Sequence, residues 1–315
     1  MDFRGFLGNE DLKARLDAAF SAGRVSHCYL LCGPEGAGKR TLAKLLCAAM
    51  ECTGGGKIPC GTCSACRKVL TDQHPDVITV ADPDHKQISV DVIRNMRADA
   101  FIRPNEGTRK IYVIAQDMGV PAQNALLKIL EEPPEYAAFL LLSDRAEKLL
   151  TTIRSRCQEL HLSPVDEQTA LPFLHEQRPD KDEIALRAAY ARAGGFLGQA
   201  LTALDTADYS EQVAQFASGY AARDTLRLAQ WLIPMEKWKR EQLLPIMEEL
   251  RRFFCDALAA RCGQPNGSQQ IKAVLQSRTG SELLAAGQSI DQAIEYLNAN
   301  VSAGAVVGWL TLRLK

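Results

Sequence analysis

An apolar run, Cys28-Tyr29-Leu30-Leu31-Cys32, leads directly into Gly33-Pro34-Glu35-Gly36-Ala37-Gly38-Lys39-Arg40-Thr41, and a helical pattern follows as far as Met50. A buried strand that hands over through a glycine-rich turn to a helix belongs to a sheet with crossover connections. Further β-like runs at Val77 to Val80, Lys110 to Ile114, Phe139 to Leu142 and Cys157 to Leu162 alternate with helical patterns. The expected fold class is therefore α/β, built on a largely parallel sheet.

The helices between those runs have legible ends. Leu12, Leu16 and Phe20 recur at helical spacing behind Asn9, a candidate N-cap, and Gly23 closes that helix. Ser89 is a candidate cap for a helix carrying Val92, Ile93 and Met96, and Pro133-Pro134 stops the one that carries Leu126, Leu127, Ile129 and Leu130. Beyond Pro164 the β-like runs cease, and helix follows helix with breaks near Pro179, Gly194-Gly195 and Pro265-Asn266-Gly267. At 315 residues the chain is long enough for two or three domains. The boundaries expected are 1–164 for the α/β part, 165–208 for a small helical domain and 209–315 for a larger one.

The glycine-rich turn has the chemistry of a phosphate loop. Its backbone N–H groups can curl around an anion, the following helix adds partial positive charge, and Lys39 is placed to reach outer phosphates. Gly33, Gly36, Gly38, Lys39, Arg40 and Thr41 are the candidate nucleotide-binding residues. The pattern expects Ser or Thr after the lysine as a magnesium ligand, yet Arg40 stands there, and Thr41, one residue on, is rotated by about 100° around the helix. A hydrolysing site also needs an acidic pair at the end of an apolar strand, whereas Lys110 to Ile114 runs into Ala115-Gln116, with Asp117 late. ATP or ADP binding stays open against a ligand-free turn, and hydrolysis is not expected.

Ten cysteines in a chain of this size do not read as a disulfide framework. Cys60, Cys63 and Cys66 stand at C-x2-C-x2-C spacing with Cys52 eight residues before, a set that can close a tetrahedral structural zinc site. Cys47 and His74 are alternative fourth ligands, and unmetallated thiols are the bland reading. The remaining cysteines, Cys28, Cys32, Cys47, Cys157, Cys255 and Cys262, are expected as small core residues.

A formal net charge of -1 offers no global attraction for nucleic acid, so any DNA contact must be local. No apolar run approaches a membrane span, and the first residues do not resemble an export signal; a cytoplasmic location without membrane contact is expected. His74 and His85 read as surface histidines, Arg251-Arg252 as a solvated helix face, and Trp231, Trp238 and Trp309 as packing residues.

Several features match one family in order: His27 to Lys39, the cluster from Cys52 to Cys66, His74-Pro75-Asp76, Gln123-Asn124-Ala125-Leu126-Leu127-Lys128 with Leu130-Glu131-Glu132-Pro133-Pro134, and Ser155-Arg156-Cys157. Over about residues 1–205 the chain resembles the AAA-plus subunits of bacterial clamp loaders, which serve DNA polymerase III; the remainder agrees only in size and class. Its altered loop, missing acidic pair and arginine-free Gly195-Phe196-Leu197-Gly198-Gln199-Ala200-Leu201 make it similar to the delta-prime type rather than the gamma/tau motor type.

That resemblance implies an AAA-plus domain with a zinc knuckle, a helical lid and a helical collar. It implies a heteropentameric ring with gamma/tau-type motor subunits and a delta-type clamp-opening subunit, acting on the sliding clamp and primer-template DNA. It also implies that Arg156 is an arginine finger serving a neighbour's ATP site. No catalysis of its own is expected, only a place in a nucleotidyltransferase assembly; an ATP-hydrolysing motor subunit is the alternative.

Overall fold

The computed structural model describes residues 1–205, 209–263 and 268–314, and these divide into two compact units, Met1–Asp205 and Thr206–Lys315. The first unit runs α1 (Glu10–Ser21), β1 (Cys28–Cys32), α2 (Lys39–Met50), α3 (Ser64–Leu70), β2 (Val77–Val80), α4 (Val90–Ala100), β3 (Lys110–Ile114), α5 (Val120–Glu131), β4 (Ala137–Ser143), α6 (Thr151–Arg154), β5 (Gln158–His161), α7 (Glu167–Gln177), α8 (Glu183–Arg192) and α9 (Leu197–Asp205). The five strands form one sheet in the order β2-β3-β4-β1-β5, and every pairing is parallel. The α/β class read from the alternating pattern is the observed one.

Parallel strands covered on both faces should be apolar throughout, and β1 and β4 are buried at every position. Successive side chains go to opposite faces. Tyr29 and Leu31 of β1, with Ala138, Leu140 and Leu142 of β4, join Leu16 and Phe20 of α1 and Leu42, Leu45 and Leu46 of α2. Cys28, Leu30 and Cys32, with Phe139 and Leu141, meet Ile93 and Met96 of α4 and Leu126, Ile129 and Leu130 of α5. Strand β4 begins two residues before the expected start because Ala137 and Ala138 pair with Lys110 and Ile111. Strand β5 begins after Cys157, whose N–H is spent on the turn carbonyl of Arg154.

Helices α7 to α9 enclose a small core of their own, with Leu174, Leu186, Ala189, Ala200 and Leu204. The second unit is all helical: α10 (Ser210–Ala221), α11 (Thr225–Leu232), α12 (Arg240–Arg261), α13 (Gln269–Ser277), α14 (Gly280–Asn298) and α15 (Ala303–Arg313). Its interior joins Phe216, Tyr220, Leu250, Phe254, Ile290 and Leu310, and Trp231, Trp238 and Trp309 pack against it. The expected break at Pro265-Asn266-Gly267 and the expected boundary at 208 lie outside the described residues.

Four local expectations are corrected. Asn9 does not cap α1: its backbone is left-handed, and its amide instead exchanges hydrogen bonds with the backbone of Ser163, at 2.7 Å from Ser163 N and 3.2 Å to Ser163 O. The Ser89 hydroxyl makes no capping bond to α4; its N–H is held by Asp82. Cys255 and Cys262 are exposed, because the buried stripe of α12 follows Leu243, Ile246, Met247, Leu250, Phe254 and Ala257. His74 is buried rather than on the surface, and its Nδ1 accepts the Asp76 N–H.

That last contact belongs to a built anion nest. The buried Asp76 carboxylate accepts the backbone N–H groups of Asn105, Glu106 and Gly107 at 2.6 to 2.8 Å. Buried Glu51 accepts the next two, from Thr108 and Arg109. Gly107 is required by this approach, since a Cβ there would lie 2.2 Å from a Glu51 oxygen. Two carboxylates thus hold the turn that delivers β3 to the sheet.

Burial pushes the Asp76 pKa up, but its three backbone donors outweigh burial and hold it below the ordinary value of 3.8. A depressed folded-state pKa contributes stability above the unfolded value and loses it as pH falls through the folded one. Asp76→Asn should therefore destabilise the protein by about 2 kcal/mol at neutral pH, the scale of buried hydrogen bonds left unmade. Denaturant unfolding of both proteins should show that difference shrinking as pH drops below about 4, whereas a pH-independent difference contradicts the assignment.

Candidate functional site

Three groups of chemistry-bearing residues sit on the first unit. At the carboxyl edge of the sheet, Gly33 to Lys39 links β1 to α2 as the sequence pattern requires. Lys39 turns back into its own loop, where its Nζ donates to the carbonyls of Gly33 and Pro34 and pairs with Asp144 at 3.1 Å. Asp144 follows β4, and the Lys39 ammonium holds its carboxyl below the ordinary range. Arg40 and Thr41 are both exposed at the border of a cavity of about 700 Å³, which Phe6, Phe173 and Phe196 also line.

The arginine-free segment from Gly195 to Leu201 touches this loop directly. Gly198 N donates to Gly36 O at 3.0 Å, and Gln199 Nε2 donates to Glu35 O at 2.8 Å. Gly36 has a positive φ of 74°, and a Cβ on it would lie 2.4 Å from Gln199 N. A Cβ on Gly198 would in turn lie 2.6 Å from the Gly36 Cα. Glycines on both sides let two backbones meet, a reason for Gly198 that no motif announced.

The residues standing where an acidic pair would hold magnesium are used structurally. Gln116 Oε1 accepts Asp82 N at 2.8 Å, while its Nε2 donates to the carbonyls of Asp82 and His85. Asp82 also accepts from Ser89 N and lies 2.8 Å from His85 Nδ1, and the His85 contact leads in pulling its pKa down to about 2. Asp117 pairs with Lys148 at 2.8 Å, and Lys148 also reaches Asp144. Hydroxyl and carboxylate ligands for magnesium are thus replaced by a guanidinium, a methyl and an amide already spent, so the residues present do not fit a magnesium–nucleotide complex.

The four cysteines Cys52, Cys60, Cys63 and Cys66 converge, with all their sulfurs within 4.8 Å of one another. A tetrahedral zinc–thiolate site spaces its sulfurs about 3.8 Å apart, and Cys60 Sγ lies 4.0 Å from Cys66 Sγ. Successive backbone N–H groups point at the sulfurs: Cys60 N at Cys52, Cys63 N at Cys60 and Cys66 N at Cys63, at 3.3 to 3.4 Å. The Cys63 N–H and the Thr62 hydroxyl lead in pulling the Cys60 thiol down to about 5. The cluster fits a metal ion, with these four residues as its holders. Cys47 and His74 stand apart from it, one in the core beneath α2 and the other bonded to Asp76.

At the opposite edge of the sheet, Arg156 occupies the turn between α6 and β5. Its Nη2 pairs with Glu131 at 2.7 Å, and its Nη1 donates to Thr152 O at 2.8 Å, with about a third of the side chain exposed. Glu131 is the last residue of α5. In the sequence it stands within Leu130-Glu131-Glu132-Pro133-Pro134, with no local signal of this partner. The neighbouring Cys157 brings its sulfur to 2.9 Å from that of Cys28, closing the turn against β1.

The amide of Gln116 generates a prediction about restoring chemistry. Gln116→Glu supplies the missing carboxylate but removes an NH2 that serves two carbonyls. The variant should show no gain in ATP hydrolysis by phosphate release and should exchange backbone amides faster across residues 82–89. Turnover above wild type would contradict this structural role.

Residues 8–166, half of the chain, match the family model described as DNA polymerase III, delta subunit. Among curated proteins, the DNA polymerase III subunit tau of Escherichia coli is 33% identical over 212 residues, covering 65% of this chain and 33% of that protein. Subunit tau of Bacillus subtilis is 32% identical over 212 residues, covering 65% of this chain and 37% of the relative. The match thus spans about a third of the length of these relatives. A DNA polymerase III gamma subunit-related protein of Thermotoga maritima superposes with a TM-score of 0.47 at 18% identity, covering 95% of this chain and 99% of that one. By the match over residues 8–166, the chain belongs to the DNA polymerase III, delta subunit family.

Proposed function

We propose that this chain is a delta-prime type subunit of a bacterial clamp loader, which hydrolyses little or no ATP itself and lends Arg156 to the ATP site of a neighbouring subunit. One observation carries the reading. Arg156 lies before β5 and the phosphate loop lies after β1, so a whole parallel strand separates them, roughly 17 Å for five residues at 3.3 Å each. A guanidinium at that edge does not reach its own chain's loop. It is available to phosphates presented by another molecule, for which its always-charged planar fork is suited.

The partners on this reading are gamma/tau-type motor subunits and a delta-type clamp-opening subunit in a heteropentameric ring, acting with the sliding clamp on primer-template DNA. Residues 1–164 serve as the AAA-plus part, 165–208 as the lid and 209–315 as the collar that joins subunits. The likeness to tau sequences favours a motor subunit as the second reading. The spent Gln116 and the Asp117–Lys148 pair weigh against it. Among the described residues no helix is long and apolar enough to cross a membrane, which is compatible with the expected cytoplasmic site of action.

We assign the four-cysteine cluster to zinc in a structural role, since four sulfurs leave no open coordination position. Elemental analysis of protein purified without chelator should give close to one zinc per chain, and Cys63→Ser should lower both zinc content and the thermal midpoint. Absence of zinc from the well-folded protein overturns this assignment.

The arginine assignment is tested in a reconstituted ring. Arg156→Ala should leave assembly intact by size-exclusion chromatography and reduce DNA-stimulated ATP turnover of the whole complex by about tenfold or more; trans-acting fingers contribute about 10³ to 10⁵ at a single site. An intact ring with unchanged turnover contradicts it.

A further inference from the structure

The phosphate loop does not fit magnesium, yet it retains cationic groups for an anion. Arg40 occupies the position of the metal-ligating hydroxyl, borders the cavity, and makes no side-chain hydrogen bond or ion pair among the described residues. Lys86, on the same border, is likewise unpaired and exposed. Of the acids on that border, Asp117 and Asp144 are each answered by lysine, which leaves exposed Glu35. The rest of the lining includes Phe6, Leu7, Phe173, Phe196 and Leu201, an apolar wall suited to a nucleobase.

From this arrangement we propose that the cavity takes a nucleoside polyphosphate as the free anion, with the Arg40 guanidinium standing where other phosphate loops place a magnesium ion. A divalent cation beside Arg40 meets a like charge and finds neither hydroxyl nor free carboxylate as a ligand. The guanidinium offers phosphate oxygens a bidentate contact without any metal. Asp144 is the competitor, for it holds Lys39 in the way an incoming phosphate would, and binding must displace it. Binding without metal also separates retention from turnover, since no ion orients an attacking water. The proposal extends the reading of the chain as a non-hydrolysing subunit but does not depend on Arg156; each can fail alone.

The test is fluorescence anisotropy of a fluorescent ADP with the full-length chain, in excess EDTA and again in excess magnesium, with inorganic pyrophosphate as competitor. Affinity should be no higher in magnesium than in EDTA, since the metal adds no contact at this site and draws free ADP into its own complex. Arg40→Thr should weaken binding in EDTA by about tenfold and Arg40→Lys by less, the scale of a charge-assisted bidentate contact. Asp144→Asn should tighten binding, and pyrophosphate should compete more weakly than unlabelled ADP. The proposal is overturned if magnesium strengthens wild-type binding about tenfold or more, if Arg40→Thr binds like wild type in EDTA, or if neither wild type nor Asp144→Asn binds ADP at millimolar concentration. Thermal melts of each variant separate lost binding from lost folding.

Discussion

The pairing of β1 between β4 and β5 is the contact on which the first unit depends. All five residues of β1 are buried, its neighbours run parallel to it on both sides, and its alternate side chains supply both layers of the core. Because the strands share one direction, whatever follows β1 lies at one edge and whatever precedes β5 at the other. The phosphate loop and Arg156 are separated by that geometry before any side chain is considered. On the proposed function, this separation is what places the donated arginine at one edge and the phosphate loop at the other.

Around this frame, groups that resemble catalytic machinery have been drawn into structure. Gln116 ties down the segment from Asp82 to His85, Asp117 and Asp144 answer Lys148 and Lys39, and Lys39 caps the carbonyls of its own loop. Each is satisfied within the chain, and a satisfied polar group gives up its partners only at a cost. Arg156 is paired as well, with half-exposed Glu131, the Thr152 carbonyl and the Ser155 hydroxyl, and a stronger anion can replace its carboxylate partner.

Much of this was legible in the sequence, for identifiable reasons. Strands buried on both faces are spelled as apolar runs, as β1, β3 and β4 are, whereas the edge strand β2 is only partly buried, and the glycine turn between β1 and α2 follows from its spacing. The four cysteines are close in sequence and meet in space because a short knuckle leaves them little freedom. Contacts between distant segments left no local signal. Asn9 looked like a helix cap and instead bonds Ser163, His74 looked exposed and is buried beside Asp76, and Gly198 meets Gly36 across the unit. Cys255 and Cys262 misled because an apolar neighbourhood along the chain does not say which face of α12 is buried. The Glu131–Arg156 pair was written in two motifs whose proximity only the fold supplies.

The central claim is that this chain contributes to ATP chemistry without performing it. The most direct measurement is phosphate release from ATP by the purified chain alone, with magnesium in excess, beside the same chain carrying Lys39→Ala. The account predicts equal, background-level release from both. Steady turnover by the wild-type chain that disappears with the lysine would contradict it.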